Sequence, residues 1–187
     1  MSLGIEFKVS GKLTKDVVTI VNEEMTSTLS DRGYGEINNK FFFLKPFESL
    51  YLLYYNQLII HKKNKNIDFN LLMETCIKYD ENILTKFLIY RDLRTKGYVV
   101  KDGFGFGSDF RVYERGAFGI KGAKYLIFGF DEGKQEKIYS LQKKIDQIIS
   151  MGKEPIIAVI ERRGEIIYYK ISKINFLDNI VEDNFNL

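Results

Sequence analysis

Cysteine and histidine are nearly absent from this chain: its 187 residues include one of each, Cys76 and His61. A single cysteine cannot close an internal disulfide, and one cysteine with one histidine cannot complete a four-ligand zinc site. Acidic residues are not grouped for metal binding either. Asp109 and Glu114 lack the spacing of a two-metal nuclease centre, and no Glu-x-Lys follows on a later strand, so neither a metal nor a cofactor is expected. No run of 18 or more apolar residues occurs, which leaves nothing long enough for a membrane-spanning helix. The opening MSLGIEFKVSGK lacks the basic-then-apolar layout of a secretory signal. Together these absences predict a soluble, cytoplasmic protein with no membrane partner. Internal repeats, low-complexity stretches and Pro/Gly/Ser-rich linkers are missing too, so any domains should pack firmly on each other.

What is present is a mildly basic, aromatic-rich chain. A net charge of +3 and a pI near 8.7 permit RNA contact without demanding it. The 12 tyrosines and 15 phenylalanines could stack bases, although most aromatic side chains of a globular protein fill its core. With 45% hydrophobic residues the chain can bury a substantial core, and its length suits two small domains. The pattern predicts a mixed α/β fold: a small N-terminal domain over residues 1–80, then a C-terminal domain over 81–187 with a central mixed sheet flanked by helices.

Strands are expected at 5–9 and 17–21 around a turn at Gly11. A short helix over 23–29, a turn at Arg32-Gly33-Tyr34-Gly35 and a strand over 40–44 come next. Pro46 suits the first position of a helix. Phe47, Leu50, Tyr51, Leu53 and Tyr54 recur at helical spacing and carry that helix to Asn56. After a strand at 58–61 and a polar turn at 64–66, Asp68 is placed to cap a helix running to Tyr79, with another helix from Asp80 to Lys96. His61, beside Lys62 and Lys63, reads as an exposed strand-end residue. Further on, a strand over 124–130 leads into the acidic turn Asp131-Glu132-Gly133. Residues 134–150 have amphipathic helical spacing through Ile138, Leu141, Ile145, Ile148 and Ile149. A strand over 155–160 is apolar enough to be buried on both faces, and a last strand covers 166–171.

The informative stretch is Tyr90–Gly116, YRDLRTKGYVVKDGFGFGSDFRVYERG. Arg91, Arg94 and Lys96 crowd a helix end and Gly97 follows, which is how helices commonly stop. The glycines of GFGFGS lead into a strand rather than a helix N-terminus and no Lys-Ser pair follows, so they read as a hairpin turn and not a phosphate loop. In the strand after them, Asp109, Arg111 and Tyr113 alternate with Phe110 and Val112. Arg111, Tyr113 and Arg115 at one strand end make a phosphate-handling edge.

YRDLRTKGYVV, the glycine turn and SDFRVYERG strongly resemble the archaeal tRNA-splicing endonuclease family, and the likeness extends more weakly from about Leu29 to Tyr169. That family cuts RNA without a metal, using a tyrosine, a histidine and a lysine as base, acid and charge stabiliser, and leaves 2′,3′-cyclic phosphate and 5′-hydroxyl ends. The resemblance puts the tyrosine at Tyr113 and the lysine at Lys153. The histidine position falls on Ala123 counted from Tyr113, or on Gly122 counted from Tyr125-Leu126, and neither residue moves a proton. An arginine that helps hold a bulged base in catalytic members corresponds to Asp146. The resemblance therefore implies a structural, non-catalytic subunit that joins a catalytic chain of the same family, two plus two, to excise introns from precursor tRNA at bulge-helix-bulge motifs. It also implies RNA contacts at Arg111 and Arg115. Subunit contacts are implied at Asp131 and Glu132 and along Ile166, Ile167, Tyr168 and Tyr169. The alternatives are a self-sufficient homo-oligomeric nuclease with Lys121 or Lys124 as acid, and an RNA-binding scaffold without a nuclease partner.

Overall fold

The computed structural model describes residues 8–63, 65–103, 107–131 and 138–173. Its first half holds strands β1 (Val9–Thr14), β2 (Val17–Ile20), β3 (Glu36–Asn38), β4 (Phe41–Leu44), β5 (Leu58–Lys62) and β6 (Lys65–Ile67), with helices α1 (Glu23–Asp31), α2 (Pro46–Tyr54) and α3 (Phe69–Ile77). These strands form one sheet in the order β3-β4-β2-β1-β5-β6. The second half holds α4 (Ile83–Thr95), β7 (Val99–Asp102), β8 (Phe110–Tyr113), β9 (Tyr125–Asp131), α5 (Ile138–Ser150), β10 (Glu154–Ile160) and β11 (Ile166–Lys170). Its sheet runs β11-β10-β9-β8-β7. Each sheet contains one parallel pair, β1 with β5 and β9 with β10, and all other neighbours are antiparallel. Parallel neighbours need a crossover, and α5 supplies it between β9 and β10.

Local chemistry explains most of these boundaries. Asp68 caps α3 through a 2.8 Å bond from the Leu71 N–H. Pro46 begins α2, and Glu48 reaches back to accept the Lys45 N–H at 2.9 Å. Other expectations are corrected. Gly11 is not a turn residue: it lies inside β1, where a Cβ would come within 2.4 Å of a Val18 methyl on the neighbouring strand, and the turn falls instead at Lys15 with φ 56°. Residues 36–38, between the expected turn and strand, form a further strand, and residues 65–67 are a strand where a turn is expected over 64–66. Helix α4 starts at Ile83 and not at Asp80, whose carboxylate accepts the Asn82 N–H at 2.9 Å and the Lys86 ammonium at 2.8 Å in the preceding turn. Strand β10 is not buried on both faces, since Ile156, Ile157 and Val159 keep partial exposure. Ile149 also leaves the apolar stripe of α5, standing 37% exposed while Ile148 is buried.

The two halves share a core. Phe47 of α2 lies 4.9 Å from the ring of Tyr90 on α4 and 5.1 Å from Phe110 on β8, edge-on to the latter, and Tyr51 meets Tyr90 at 5.5 Å. These rings belong to one cluster of buried residues that runs from Val9 to Ile160. A smaller cluster of Leu126, Phe128 and Ile148 lies under α5. A charged pair also crosses between the halves: Lys101 of β7 donates to the Gly35 carbonyl at 2.5 Å and stands 3.9 Å from the buried Glu48 carboxylate. Burial pushes the Glu48 carboxyl up and the Lys101 amine down, and each charge only partly offsets the other's desolvation.

Candidate functional site

Three neighbouring strands of the second sheet present their ends along one rim. Tyr113 closes β8 opposite Val99 of β7. Lys124 immediately precedes β9, and its N–H donates to the Val112 carbonyl at 3.0 Å. Lys153 immediately precedes β10, and the next N–H, of Glu154, donates to the Lys124 carbonyl at 2.9 Å. The register thus sets Tyr113, Lys124 and Lys153 side by side at strand ends, although 40 residues of chain connect the first to the last.

The approach to Lys153 is fixed by how α5 stops. Gly152, at φ 68°, donates to the Ile149 carbonyl at 2.9 Å while the Lys153 N–H donates to Ile148 at 3.1 Å, the paired bonds of a Schellman ending. Lys153 is then delivered to the 122–123 segment, where its ammonium donates to the Ala123 carbonyl at 2.5 Å. A Cβ built on Gly122 would stand 3.3 Å from that nitrogen. Gly122 and Ala123, where the resemblance leads us to expect the family's histidine, therefore lie against the lysine, and neither carries a proton-transfer group. His61 is not brought to this rim. It sits on β5 of the first sheet, in register with Lys12 and Asn66 and exposed to solvent. Asp146 is exposed on α5.

Tyr113 is half-buried, with its ring edge-on to Phe118 at 5.0 Å. It shares a strand face with Arg111, and the two line an open groove of about 520 Å³ whose other wall includes Tyr34, Glu36 and Lys101. Arg115 is exposed, with its guanidinium 5.1 Å above the Tyr98 ring. Lys124 is tied down electrostatically: its ammonium lies 2.5 Å from Glu114 and 3.8 Å from Glu154, and Glu154 pairs with Lys170 at 2.9 Å. The bond to Glu114 holds the Lys124 amine above its ordinary pKa, the opposite of what a proton donor near neutral pH needs.

The remaining expected residues lie elsewhere. Asp131 ends β9, at the opposite end of the sheet from Tyr113, and accepts a 2.8 Å bond from the Thr85 hydroxyl on α4. Glu132 lies outside the described residues. Strand β11 is an edge strand whose side chains divide between two faces. Ile166 and Tyr168 pack on the main core, with the Tyr168 hydroxyl donating to Asp92 at 2.7 Å. Ile167 and Tyr169 point the other way, beside Val159 and Ile157 in register, and Tyr169 is 52% exposed. Sequence reading does not single out Lys101, and it makes Arg94 a helix-stop cation, Arg32 and Tyr34 turn residues and Tyr51 a helix-face residue without bringing them together where α4 ends. Their signal is weak because they come from segments that only the fold brings together.

Comparisons with known proteins identify the family. Residues 83–168 match the family described as tRNA intron endonuclease, catalytic C-terminal domain, and residues 9–73 match tRNA intron endonuclease, N-terminal domain. The chain belongs to the tRNA intron endonuclease family. Among its relatives, the tRNA-splicing endonuclease of Methanococcus vannielii is 33% identical over 164 residues, covering 87% of this chain and 93% of that protein. That of Thermococcus onnurineus is 32% identical over 173 residues, 92% of this chain and 98% of that protein. That of Pyrococcus horikoshii is 30% identical over 177 residues, 94% of this chain and 100% of that protein. Among the described residues, no helix is long and apolar enough to cross a membrane and no group of side chains is arranged to hold a metal ion.

Proposed function

We propose that this chain is the structural, non-catalytic subunit of a cytoplasmic heteromeric tRNA-splicing endonuclease. Joined to a catalytic chain of the same family, two plus two, it would help excise introns from precursor tRNA at bulge-helix-bulge motifs. The observation that carries this reading is the rim beside Lys153, whose ammonium lies against Gly122 and Ala123, the two positions to which the resemblance assigns the histidine. Tyr113 and Lys153 persist as remnants of a base and a charge stabiliser, but among the described residues no group beside them is suited to protonate the departing 5′-oxygen, since Lys124 is held charged by Glu114. Loss of a general acid costs about 10²- to 10⁴-fold in rate. Arg111, on the Tyr113 face of β8, and Arg115, just beyond it, are the contacts proposed for RNA phosphate. The domain boundary is proposed near residue 80, which is supported by the gap between the two family matches, from residue 73 to residue 83.

The half-exposed apolar strip of Ile157, Val159, Ile167 and Tyr169 supports pairing through the last strands. In this reading Ile166 and Tyr168 back that interface from the core side. Asp131 and Glu132 form the acidic contact to the opposing dimer. Ile167→Asp is expected to halve the assembly mass in light scattering while the circular-dichroism spectrum stays folded. A self-sufficient nuclease using Lys124 as acid is opposed by that residue's pairing with Glu114.

The deciding experiment is single-turnover cleavage of a bulge-helix-bulge RNA. The chain alone should be inert. A complex reconstituted with the histidine-bearing partner should cut, and Tyr113→Phe or Lys153→Ala in this chain should change its rate by less than about tenfold, because removing a true catalytic group costs 10²-fold or more. Cleavage by the isolated chain, or a larger loss in either variant, would overturn the proposal.

A further inference from the structure

Beside the start of β7, where α4 ends, a cleft of about 480 Å³ opens between the two halves of the molecule. Small-ligand sites occupy about 300–1,000 Å³, so this volume is ample for one nucleotide. Its walls include Arg32, Tyr34, Tyr51, Tyr55, Arg94 and Tyr98. The floor is rigid. Arg94 lies over the Tyr34 ring at 3.9 Å and donates to the Arg32 carbonyl at 3.0 Å and the Tyr98 carbonyl at 3.4 Å. Tyr34 stacks on Tyr51 with centroids 6.3 Å apart, and Tyr51 meets Tyr55 at 4.9 Å. Tyr55 and Tyr98 are only half-buried, so ring surface is left for a ligand, and Arg32 is exposed at the margin.

The cleft is continuous with the rim described above. Val99, which lines it, is the register partner of Tyr113. Arg115 extends from just beyond Tyr113 to within 5.1 Å of the Tyr98 ring centroid, so one cation stands between the two places. An RNA backbone crossing the rim therefore passes Arg115 as it reaches the cleft. Single-stranded RNA is held by aromatic platforms beside cationic tracks, because every base offers a π face and every linkage a negative charge. The Tyr51 hydroxyl, like any phenol, is neutral near pH 7 and does not repel phosphate.

We propose that this cleft is a nucleotide subsite for an unpaired base of the bound RNA, adjoining the phosphate at the Tyr113 rim. The base stacks on Tyr55 and Tyr98, and its flanking phosphates meet Arg32 and Arg115. The inference rests on the RNA-processing reading above and extends it to the half of the molecule that carries none of the catalytic remnants. It also gives a subunit without a proton donor a direct share in substrate recognition.

The test uses the full chain and a bulge-helix-bulge RNA carrying 5-iodouridine at its unpaired positions. After irradiation, adducts mapped by mass spectrometry should fall on Tyr55 or Tyr98; adducts found only outside the cleft would overturn the inference. The double variant Tyr55→Ala/Tyr98→Ala should bind this RNA about 5- to 100-fold more weakly, and Tyr55→Phe/Tyr98→Phe should retain affinity because the rings remain. A folded alanine variant with unchanged affinity would sink the subsite while leaving the RNA-processing reading intact. Absence of any RNA affinity in the wild-type chain would overturn both. Adenosine monophosphate alone should bind far more weakly than the RNA; binding as tight as the RNA's would assign the cleft to free nucleotides and overturn the inference.

Discussion

Helices α4 and α5 end in the same way, yet the residue delivered by each ending has a different fate. Gly97, at φ 85°, donates to Arg94 at 3.0 Å while Tyr98 donates to Leu93 at 3.1 Å. Gly152 and Lys153 repeat that pattern on α5. Both endings turn the chain into the second sheet at the same rim, one at β7 and the other at β10. After α4 the delivered side chain is a tyrosine with an arginine over it and a cleft beside it. After α5 it is a lysine whose ammonium is absorbed by a backbone carbonyl next to a bare glycine. The machinery that presents a residue is therefore separable from the chemistry the residue serves.

The comparison can be broken first at the core beneath both endings. Phe110→Ala removes a fully buried ring from the Phe47-Tyr90-Phe110 contact and should cost about 3–5 kcal/mol. If the halves share one core, denaturant melts followed at either half should shift together; a shift confined to the second half would mean that the halves unfold independently. Next come the two glycines. Gly97→Ala and Gly152→Ala each force an alanine into left-handed backbone, at about 1–2 kcal/mol by chemical denaturation. Only Gly97→Ala should also weaken RNA binding, since it strains the backbone that positions Tyr98. Equal effects of the two variants on RNA affinity would erase the distinction between the endings.

A smaller effect concerns Lys124, which lies between them. Glu114→Gln should lower the Lys124 amine toward its ordinary 10.5 by removing the negative charge that strengthens the bond holding it up, as measured by NMR titration. An unmoved titration would show that the pair does not form in solution. Smallest of all is a reactivity reading. Burial pushes the Cys76 thiol up to about 12, so at pH 8 almost no thiolate exists in the folded state, and labelling by a thiol reagent should proceed only at the rate at which the chain opens. Rapid labelling in native buffer would mean that α3 opens on its own.

Much of the scaffold was legible because its signals are local. Asp68, Pro46 and Gly97 each mark a helix boundary through bonds made within a few residues. Gly11 misled because its purpose is set by Val18 on another strand, and β3 and β6 are three-residue strands with too few positions to show alternation. At the site, the alternation of β8 separated Arg111 and Tyr113 from Phe110 and Val112, and the resemblance supplied Lys153. That Lys153 touches the 122–123 segment is a property of neighbouring strand ends and not of either segment. The cleft was invisible for the same reason: Arg94 and Arg32 are bonded across 62 positions of sequence.

The ion pair and ring contacts that cross between the halves also constrain how the chain is made. Glu48 and Phe47 leave the ribosome more than fifty residues ahead of Lys101 and Phe110, which at 5–20 residues per second is a delay of about 3–10 s. Through that interval the nascent first half holds a carboxylate without its cation and a phenyl ring without its cover. It should therefore remain a client of chaperones until the second half arrives, and a polypeptide released at the domain boundary would be born sticky.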